Sequence, residues 1–278
     1  MFGGKPELSG QAMIIPTHTM TLAAPTYPPA HVRIRTSSRW LVALALLVGG
    51  LVALPVLAVL AQVLSTGTGD TWSHLASTVL PDYIGSTLWL CLGVGLGTAS
   101  MGVGAAWLVT RYEFPLRGTL EWALVLPLAV PGYVMAYTYT DLLQFVGPVQ
   151  TALREAFGWG RADYWFPDVR SLGGAVVLFS LVLYPYVYML ARTAFLERAG
   201  GMLAVGRVWG LGPWGSFFRV SLPLARPAIA AGVSLALMET LADFGAVSYF
   251  GVQTFTTGIY RAWFSLGDRV AAAQLATC

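Results

Sequence analysis

Long apolar runs separated by short polar segments are the main pattern along this chain. The first run extends from Trp40 to Leu64 without a charged residue. At about 1.5 Å per helical residue, it is long enough to cross a hydrocarbon core roughly 30 Å thick. Four similar runs follow, each bounded by charged residues, Pro or Gly: Tyr83 to Thr110, Leu120 to Leu143, Leu172 to Ala191, and Ala228 to about Phe250. The pattern predicts an all-α, polytopic membrane helical bundle with five full transmembrane helices.

The two ends of the chain do not fit this pattern. Residues 1–39 are rich in Pro and Thr and lack hydrophobic periodicity, so we expect a flexible tail there. A last apolar run, Val270 to Leu275, is too short to cross a bilayer. We therefore expect residues 40–278 to form one transmembrane domain that is truncated at its C-terminus, within the sixth helix.

The basic residues orient these predicted spans. If the tail lies in the cytoplasm, the loop from Arg192 to Arg226 is cytoplasmic and the segment from Gln144 to Ser171 is external. Most of the sixteen Lys and Arg residues then lie inside, as the positive-inside rule requires: Lys5, Arg33, Arg35, Arg39, Arg111, Arg117, Arg192, Arg198, Arg207, Arg219 and Arg226. The external segment is predicted to hold a short interfacial helix because it contains four aromatic residues: Trp159, Tyr164, Trp165 and Phe166.

Composition supports a membrane protein and excludes several other classes. Hydrophobic residues make up 56% of the chain, charged residues only 10%, and the mean hydropathy is +0.66. The net charge of +3 includes no basic run, so nucleic acid is not an expected partner. The two Cys and three His residues lack disulfide or metal-ligand spacing, and no Lys-Ser or Lys-Thr phosphate-binding motif is present. We expect no cofactor, no metal site and no enzymatic activity.

The segment from Ala204 to Pro223 carries the strongest candidate for a partner-binding site. Pro213 follows Gly212 and predicts the start of a short helix. Its aromatic residues, at spacings of three and four, predict one apolar stripe: Trp214, Phe217 and Phe218. Such a helix fits a groove on a cytoplasmic partner. The alternative is a membrane anchor that lies on the bilayer surface with the same stripe.

The same segment also matches the dinucleotide fingerprint Gly-x-Gly-x-x-Gly at Gly210, Gly212 and Gly215. That fingerprint requires a preceding β-strand, whereas here a spanning helix precedes it and Pro213 lies inside it. We interpret the match as accidental.

Two acidic residues lie within the last full span. Glu239 and Asp243 are four residues apart, which predicts that they share one helix face. A charged group in a membrane helix costs a few kcal/mol, so the pair is a candidate for the lining of a transport path. The alternative is a protonated or hydrogen-bonded packing pair near the external interface.

Other residues predict helix geometry rather than chemistry. Several small residues in the second span permit close helix approach: Gly93, Gly97, Ala99, Ser100 and Gly104. Four residues in the third and fourth spans are candidates to kink or break those helices: Pro127, Pro131, Gly132 and Pro185.

The spacing in the cytoplasmic segment resembles the conserved loop of bacterial ABC-importer permeases. That loop reads Glu-Ala-Ala, three residues, Gly, nine residues, Ile, any residue, Leu-Pro. Here Gly210 stands at the loop glycine, and Val220, Leu222 and Pro223 complete the pattern, while Ala204 replaces the leading glutamate. Three further segments, residues 83–117, 221–251 and 256–263, resemble permeases of ferric iron importers. The likeness is to the first half of a permease built from two fused halves.

This resemblance implies a function and partners. It implies an inner-membrane permease that moves ferric iron by alternating access, together with a cytoplasmic ATP-binding cassette ATPase, a periplasmic iron-binding protein and a second permease half or copy in the lipid bilayer. The ATPase-coupling residues would be Gly210, Leu211, Gly212, Pro213, Trp214, Phe217, Phe218 and Arg219, and the path residues would be Glu239 and Asp243. Two alternatives are an inactive truncated fragment and a transporter or channel that needs no ATPase.

Overall fold

The computed structural model describes residues 39–63, 77–208 and 210–277, and every regular element within them is helical. The all-α prediction is therefore confirmed. The predicted tail, residues 1–39, lies outside the described residues except for Arg39. Four described helices are long and apolar enough to cross a membrane, or five if one bent pair forms a single span. The count of five full spans plus a truncated sixth stays a prediction.

The chain divides into two compact units, residues 1–51 and 52–278. Helix α1 (Arg39–Val63) carries the boundary between them. It has no charged residue after Arg39, and its large apolar side chains, such as Trp40 and Leu46, are exposed. This helix coincides with the first predicted span to within one residue at each end.

Three long helices form the centre of the second unit: α2 (Leu80–Arg111), α6 (Leu172–Val208) and α8 (Leu222–Ala242). Helices α2 and α6 run parallel, because Gly93 faces Val176 and Gly102 faces Val187. A Cβ atom on Gly102 would lie 2.7 Å from that of Val187, so only glycine permits this approach. Close packing was predicted for Gly93 and is confirmed there. Gly104, predicted to act in the same way, has nothing within 4 Å of its Cβ position.

Helix α8 runs antiparallel to the other two and gives the bundle two distinct ends. Its first residues pack in the cluster around Trp107, Phe195 and Phe217. We call this end of the bundle, where the segment around Pro213 lies, the loop end. Its last residues, and those that follow it, pack at the opposite end, the cluster around Phe179 and Val247.

The predicted third span, Leu120 to Leu143, is not one continuous helix. It consists of α3 (Arg117–Ala123), a 3-10 turn (Leu126–Ala129) and α4 (Gly132–Leu143), and α5 (Pro148–Phe157) follows. The segments before and after the break are bent by 99°. Pro131 explains the break, because it donates no backbone hydrogen bond and forces Val130 into an extended conformation. The predicted break at Pro131 is therefore confirmed, whereas Pro185 lies inside an uninterrupted α6.

The fourth and fifth spans also differ from the predicted limits. Helix α6 has 37 residues and continues to Val208, so Ala204 belongs to it rather than to a loop. Helix α8 ends at Ala242, and a short helix α9 (Gly245–Tyr249) follows it. The predicted continuous span up to Phe250 is wrong, because the backbone of Asp243 is extended.

The last described segment was not predicted as a packed element. Helix α10 (Phe255–Tyr260), a π-helical turn (Arg261–Ser265) and α11 (Arg269–Leu275) follow one another. Alanines of α11 pack with Leu80 at the start of α2, and Gly258 lies against the ring of Tyr83. The residues of the expected truncated helix are thus largely buried in the described structure.

Candidate functional site

The segment around Pro213 begins a helix, as predicted. Gly210 has a φ of +68°, which favours glycine, and Gly212 is the extended N-cap before α7 (Pro213–Ser216). Pro213 suits this first position because its missing N–H would have no helical acceptor. Gly210 to Gly212 are not helical, and the predicted short helix is only the first part of a longer one, because it continues past Phe218 into α8.

A π-helical turn (Phe217–Ser221) joins α7 to α8. Its wide hydrogen-bond pattern ends with the N–H of Leu222 donating to the carbonyl of Phe217. Pro223 comes next and could not donate to the carbonyl of Arg219, as an α-helix would require. Because the π turn changes the hydrogen-bond pattern just before Pro223, the missing N–H of this proline falls in the first turn of α8, and the helix continues through it.

The predicted aromatic stripe is divided between the interior and the surface. Phe217 is buried, with its ring centre 4.8 Å from that of Trp107 in α2. Trp214 and Phe218 are 63% and 59% exposed and stack with their ring centres 6.2 Å apart. Arg219 is exposed beside them. One ring therefore anchors the segment to the bundle, and two present an apolar surface.

A carboxylate that pairs with two arginines lies at the same end of the bundle, and the sequence did not predict this ion bridge. The carboxylate of Glu121 in α3 lies 3.3 Å from Nε of Arg117 and 2.8 Å from Nη2 of Arg192 in α6. The hydroxyl of Tyr188 donates to the backbone carbonyl of Glu121 at 3.3 Å. The four-residue spacing of Arg117 and Glu121 was a readable signal, but the contact with Arg192 depends on the fold.

The two predicted path residues line one cavity. It has an empty volume of about 480 Å³ and lies beside the break in the third span, where Pro131 and Gly132 form part of its wall. Glu239 is exposed, and Asp243 is half-buried. The prediction that they share one helix face is wrong, because Asp243 follows the end of α8. Both residues nevertheless border the same cavity.

Asp243 also has a structural role. Its Oδ1 atom accepts hydrogen bonds from the backbone N–H groups of Ala246 at 2.8 Å and Val247 at 3.2 Å, at the start of α9. Its Oδ2 atom lies towards Gly132, 3.7 Å from the position a Cβ atom would take there. The alternative of a hydrogen-bonded packing role thus applies to one oxygen of Asp243. Within the described residues, no group of three or more His, Cys, Asp or Glu side chains could hold a metal ion.

Comparison with known families decides what kind of protein carries these features. Residues 98–273, more than half of the chain, match the family described as binding-protein-dependent transport system inner membrane component. The chain belongs to this family. The resemblance drawn from the loop spacing is thereby confirmed, and the protein is a component of the inner membrane. Permease components of this kind are not enzymes, which confirms that prediction as well.

Individual relatives differ in the substrate that their names state. The chain is 29% identical over 237 residues to the Fe(3+)-transport system permease protein FbpB 2 of Haemophilus influenzae, covering 85% of this chain and 42% of that one. It is 29% identical over 180 residues to the molybdenum transport system permease protein ModB of Escherichia coli K12, covering 63% of this chain and 76% of the relative. The sulfate transport system permease protein CysT of the same strain is 26% identical, with 70% and 68% covered. The chain thus spans less than half the length of the iron-transport relative.

A solved structure supports the fold. The bacterial alginate ABC transporter, crystallised in complex with an alginate-bound periplasmic protein, contains a chain that superposes with a TM-score of 0.66. The sequences are 17% identical, and the match covers 86% of this chain and 88% of the other. At this identity the likeness concerns the fold alone.

Proposed function

We propose that this permease imports ferric iron by alternating access, driven by a separate cytoplasmic ATPase that docks at Gly210 to Arg219. The observation that carries the proposal is the exposed pair Trp214 and Phe218, held on the buried ring of Phe217. Apolar aromatic rings at a helix start are typical anchors for helix-in-groove recognition. Arg219 adds a positive charge beside this surface.

Anchoring gives such a surface a way to act on the helices. Phe217 packs against Trp107, and Trp107 in turn packs against Phe195 in α6 with ring centres 5.7 Å apart. A partner that moves Trp214 and Phe218 therefore pushes on two spanning helices through one continuous aromatic cluster. Because α7 continues into α8, the same movement reaches the segment that carries Glu239.

The cavity at the break is the proposed section of the transport path. It places the carboxylates of Glu239 and Asp243 beside a helix interruption. Oxygen ligands with negative charge suit a hard cation such as ferric iron and disfavour an oxyanion. The negative charge of both side chains therefore favours iron over the molybdate and sulfate that the names of other relatives suggest.

The remaining partners follow from the same assignment. We place the loop end and residues 1–39 in the cytoplasm and the opposite end towards a periplasmic iron-binding protein. Helix α8 leaves large apolar side chains exposed, including Leu235, Met238 and Leu241. A second permease half or copy would cover them and supply the other wall of the path.

Copurification from native membranes tests the docking proposal. An ATPase should copurify with the wild-type chain and be lost from a Trp214→Ala, Phe218→Ala variant. The matched control is Trp89→Ala, because Trp89 is 66% exposed on α2, away from the loop end. If the wild type carries no ATPase, the docking proposal fails, and an ATPase-independent transporter or an inactive fragment takes its place.

A separate uptake assay tests the substrate. Membrane vesicles that contain the complex and its binding protein should accumulate ferric iron in an ATP-dependent manner, and Glu239→Gln should reduce this uptake. Accumulation of molybdate or sulfate instead of iron would overturn the substrate and leave the docking proposal standing.

A further inference from the structure

Two cavities of opposite character lie on either side of one short segment of the second unit. The first is polar, with an empty volume of about 820 Å³, and the second is largely apolar, with about 940 Å³. Residues 166–169 border both of them. A molecule that occupied both cavities would need a polar end and an apolar end.

The polar cavity is lined by two arginines. Arg170 donates from Nε and Nη2 to the carbonyl of Tyr249 at 3.1 and 2.8 Å, and the guanidinium of Arg161 lies 5.1 Å from the ring centre of Phe145. Among the described residues, neither arginine has a carboxylate within ion-pair distance. The one acidic side chain in the wall is Asp168, whose Oδ1 atom accepts from the backbone N–H of Arg170. The cavity therefore carries a net positive charge.

A buried hydroxyl adds a further polar group to the same wall. Thr140 is 2% exposed, and its Oγ1 atom has no hydrogen-bond partner among the described residues. Neighbouring groups are already committed: Gln150 donates to the carbonyl of Leu143 at 2.7 Å and accepts from the hydroxyl of Tyr164 at 2.7 Å. The wall thus combines side chains that are already hydrogen-bonded to each other with one hydroxyl that could bond to a ligand.

The apolar cavity continues along α6 as a groove. Val177 and Leu181 lie one helical turn apart in its wall, and Leu143 of α4 lines it as well. Val177 is 59% exposed. Trp165, which is 85% exposed, borders the groove next to Phe166, a member of both walls. An exposed tryptophan between a charged and an apolar surface is typical of the membrane interface.

We infer that these paired cavities bind an anionic phospholipid, with its phosphate at Arg161 and Arg170 and one acyl chain along Val177 and Leu181. Guanidinium groups form charge-assisted hydrogen bonds with phosphate oxygens. A free oxyanion would satisfy the arginines but leave the adjoining groove uncovered, so the juxtaposition favours the lipid. The inference concerns the membrane environment of the chain and holds whatever substrate the permease carries.

Lipid retention by the purified full-length chain tests this inference. The detergent-solubilised protein is supplied with dioleoylphosphatidylglycerol, with dioleoylglycerol, which has the same tails without phosphate, or with inorganic phosphate. Bound lipid is counted by native mass spectrometry, and thermal unfolding is followed in parallel. We expect phosphatidylglycerol alone to be retained and to raise the unfolding temperature.

Two variants and two matched controls locate the site. Arg161→Gln removes a charged headgroup contact, and Val177→Trp fills the groove; each should weaken retention by about tenfold or more. The controls, Arg226→Gln and Leu96→Trp, alter exposed residues elsewhere and should retain the lipid like wild type. Equal retention by both variants and the controls would overturn the inference. Stabilisation by inorganic phosphate that matches the lipid's effect would replace it with a free oxyanion site.

Discussion

The loop end and the cavity at the third-span break differ in the chemistry of the side chains that they present. At the loop end, apolar rings face outward, with Trp214 and Phe218 exposed above buried Phe217. At the break, two acidic side chains border one cavity, with Glu239 exposed and Asp243 half-buried. The exposed rings at the loop end and the half-buried carboxylate of Asp243 run against the usual preference, which buries apolar groups and exposes charged ones.

This difference fits our proposal that the two regions meet different kinds of molecule. Exposed aromatic rings favour a protein surface that removes them from water. Carboxylates that border a cavity favour a small cation or water, because lipid tails cannot solvate them. The loop end is thus suited to bind a partner that moves the helices, and the cavity at the break is suited to pass a solute. Helix α8 joins the two regions.

The largest effect is expected when the buried ring of Phe217 and the exposed ring of Phe218 are removed in separate variants. Phe217→Ala should lower the free energy of unfolding by about 3–5 kcal/mol, because it removes a buried ring from the cluster with Trp107. Phe218→Ala should change it by less than about 0.5 kcal/mol and yet weaken ATPase association. Denaturant unfolding of both variants measures the difference. Equal destabilisation by the two substitutions would show that the exposed ring is structural.

The second prediction separates the two roles of Asp243. Asp243→Ala should cost about 0.5–2 kcal/mol, since the backbone N–H groups of Ala246 and Val247 lose their shared acceptor. Asp243→Asn keeps one side-chain oxygen for these hydrogen bonds and should retain most of the stability while lowering cation uptake. Thermal unfolding and vesicle uptake are measured on the same preparations. Unchanged uptake by the Asn variant would reduce Asp243 to a helix cap.

The smallest expected effect concerns the ion bridge at the loop end. Glu121→Gln should cost about 0.2–1 kcal/mol, because both ion pairs are partly exposed to solvent. Its effect should be smaller when Arg192→Gln is already present, because only the pair with Arg117 then remains, and a double-mutant cycle of unfolding free energies measures the difference. Full additivity of the two substitutions would show that the 2.8 Å contact contributes nothing.

Local chemistry accounts for the parts that the sequence predicted well. The helix start at Pro213 and the break at Pro131 depend on the missing N–H and fixed φ of proline, which act wherever the residue stands. The family resemblance likewise depended on the spacing within the loop segment and on the local sequence of three others. These features need no knowledge of distant residues.

Contacts between distant segments account for the rest. Spacing grouped Phe217 with Phe218, and only the position of Trp107, more than a hundred residues earlier, determines which ring is buried. Helix periodicity placed Asp243 inside a span, whereas its carboxylate caps the next helix. The bridge from Glu121 to Arg192 joins residues 71 positions apart, and hydrophobic periodicity carries no signal for such a pair.

Site-specific photo-cross-linking can show whether Trp214 contacts an ATPase in the membrane. A photoreactive amino acid is placed at position 214, and, in a control chain, at position 89 of α2. After irradiation of native membranes, we expect a covalent adduct between position 214 and an ATP-binding subunit, and none from position 89. An adduct of position 214 with lipid alone would show that the exposed rings anchor the chain to the membrane surface, and it would contradict the coupling role.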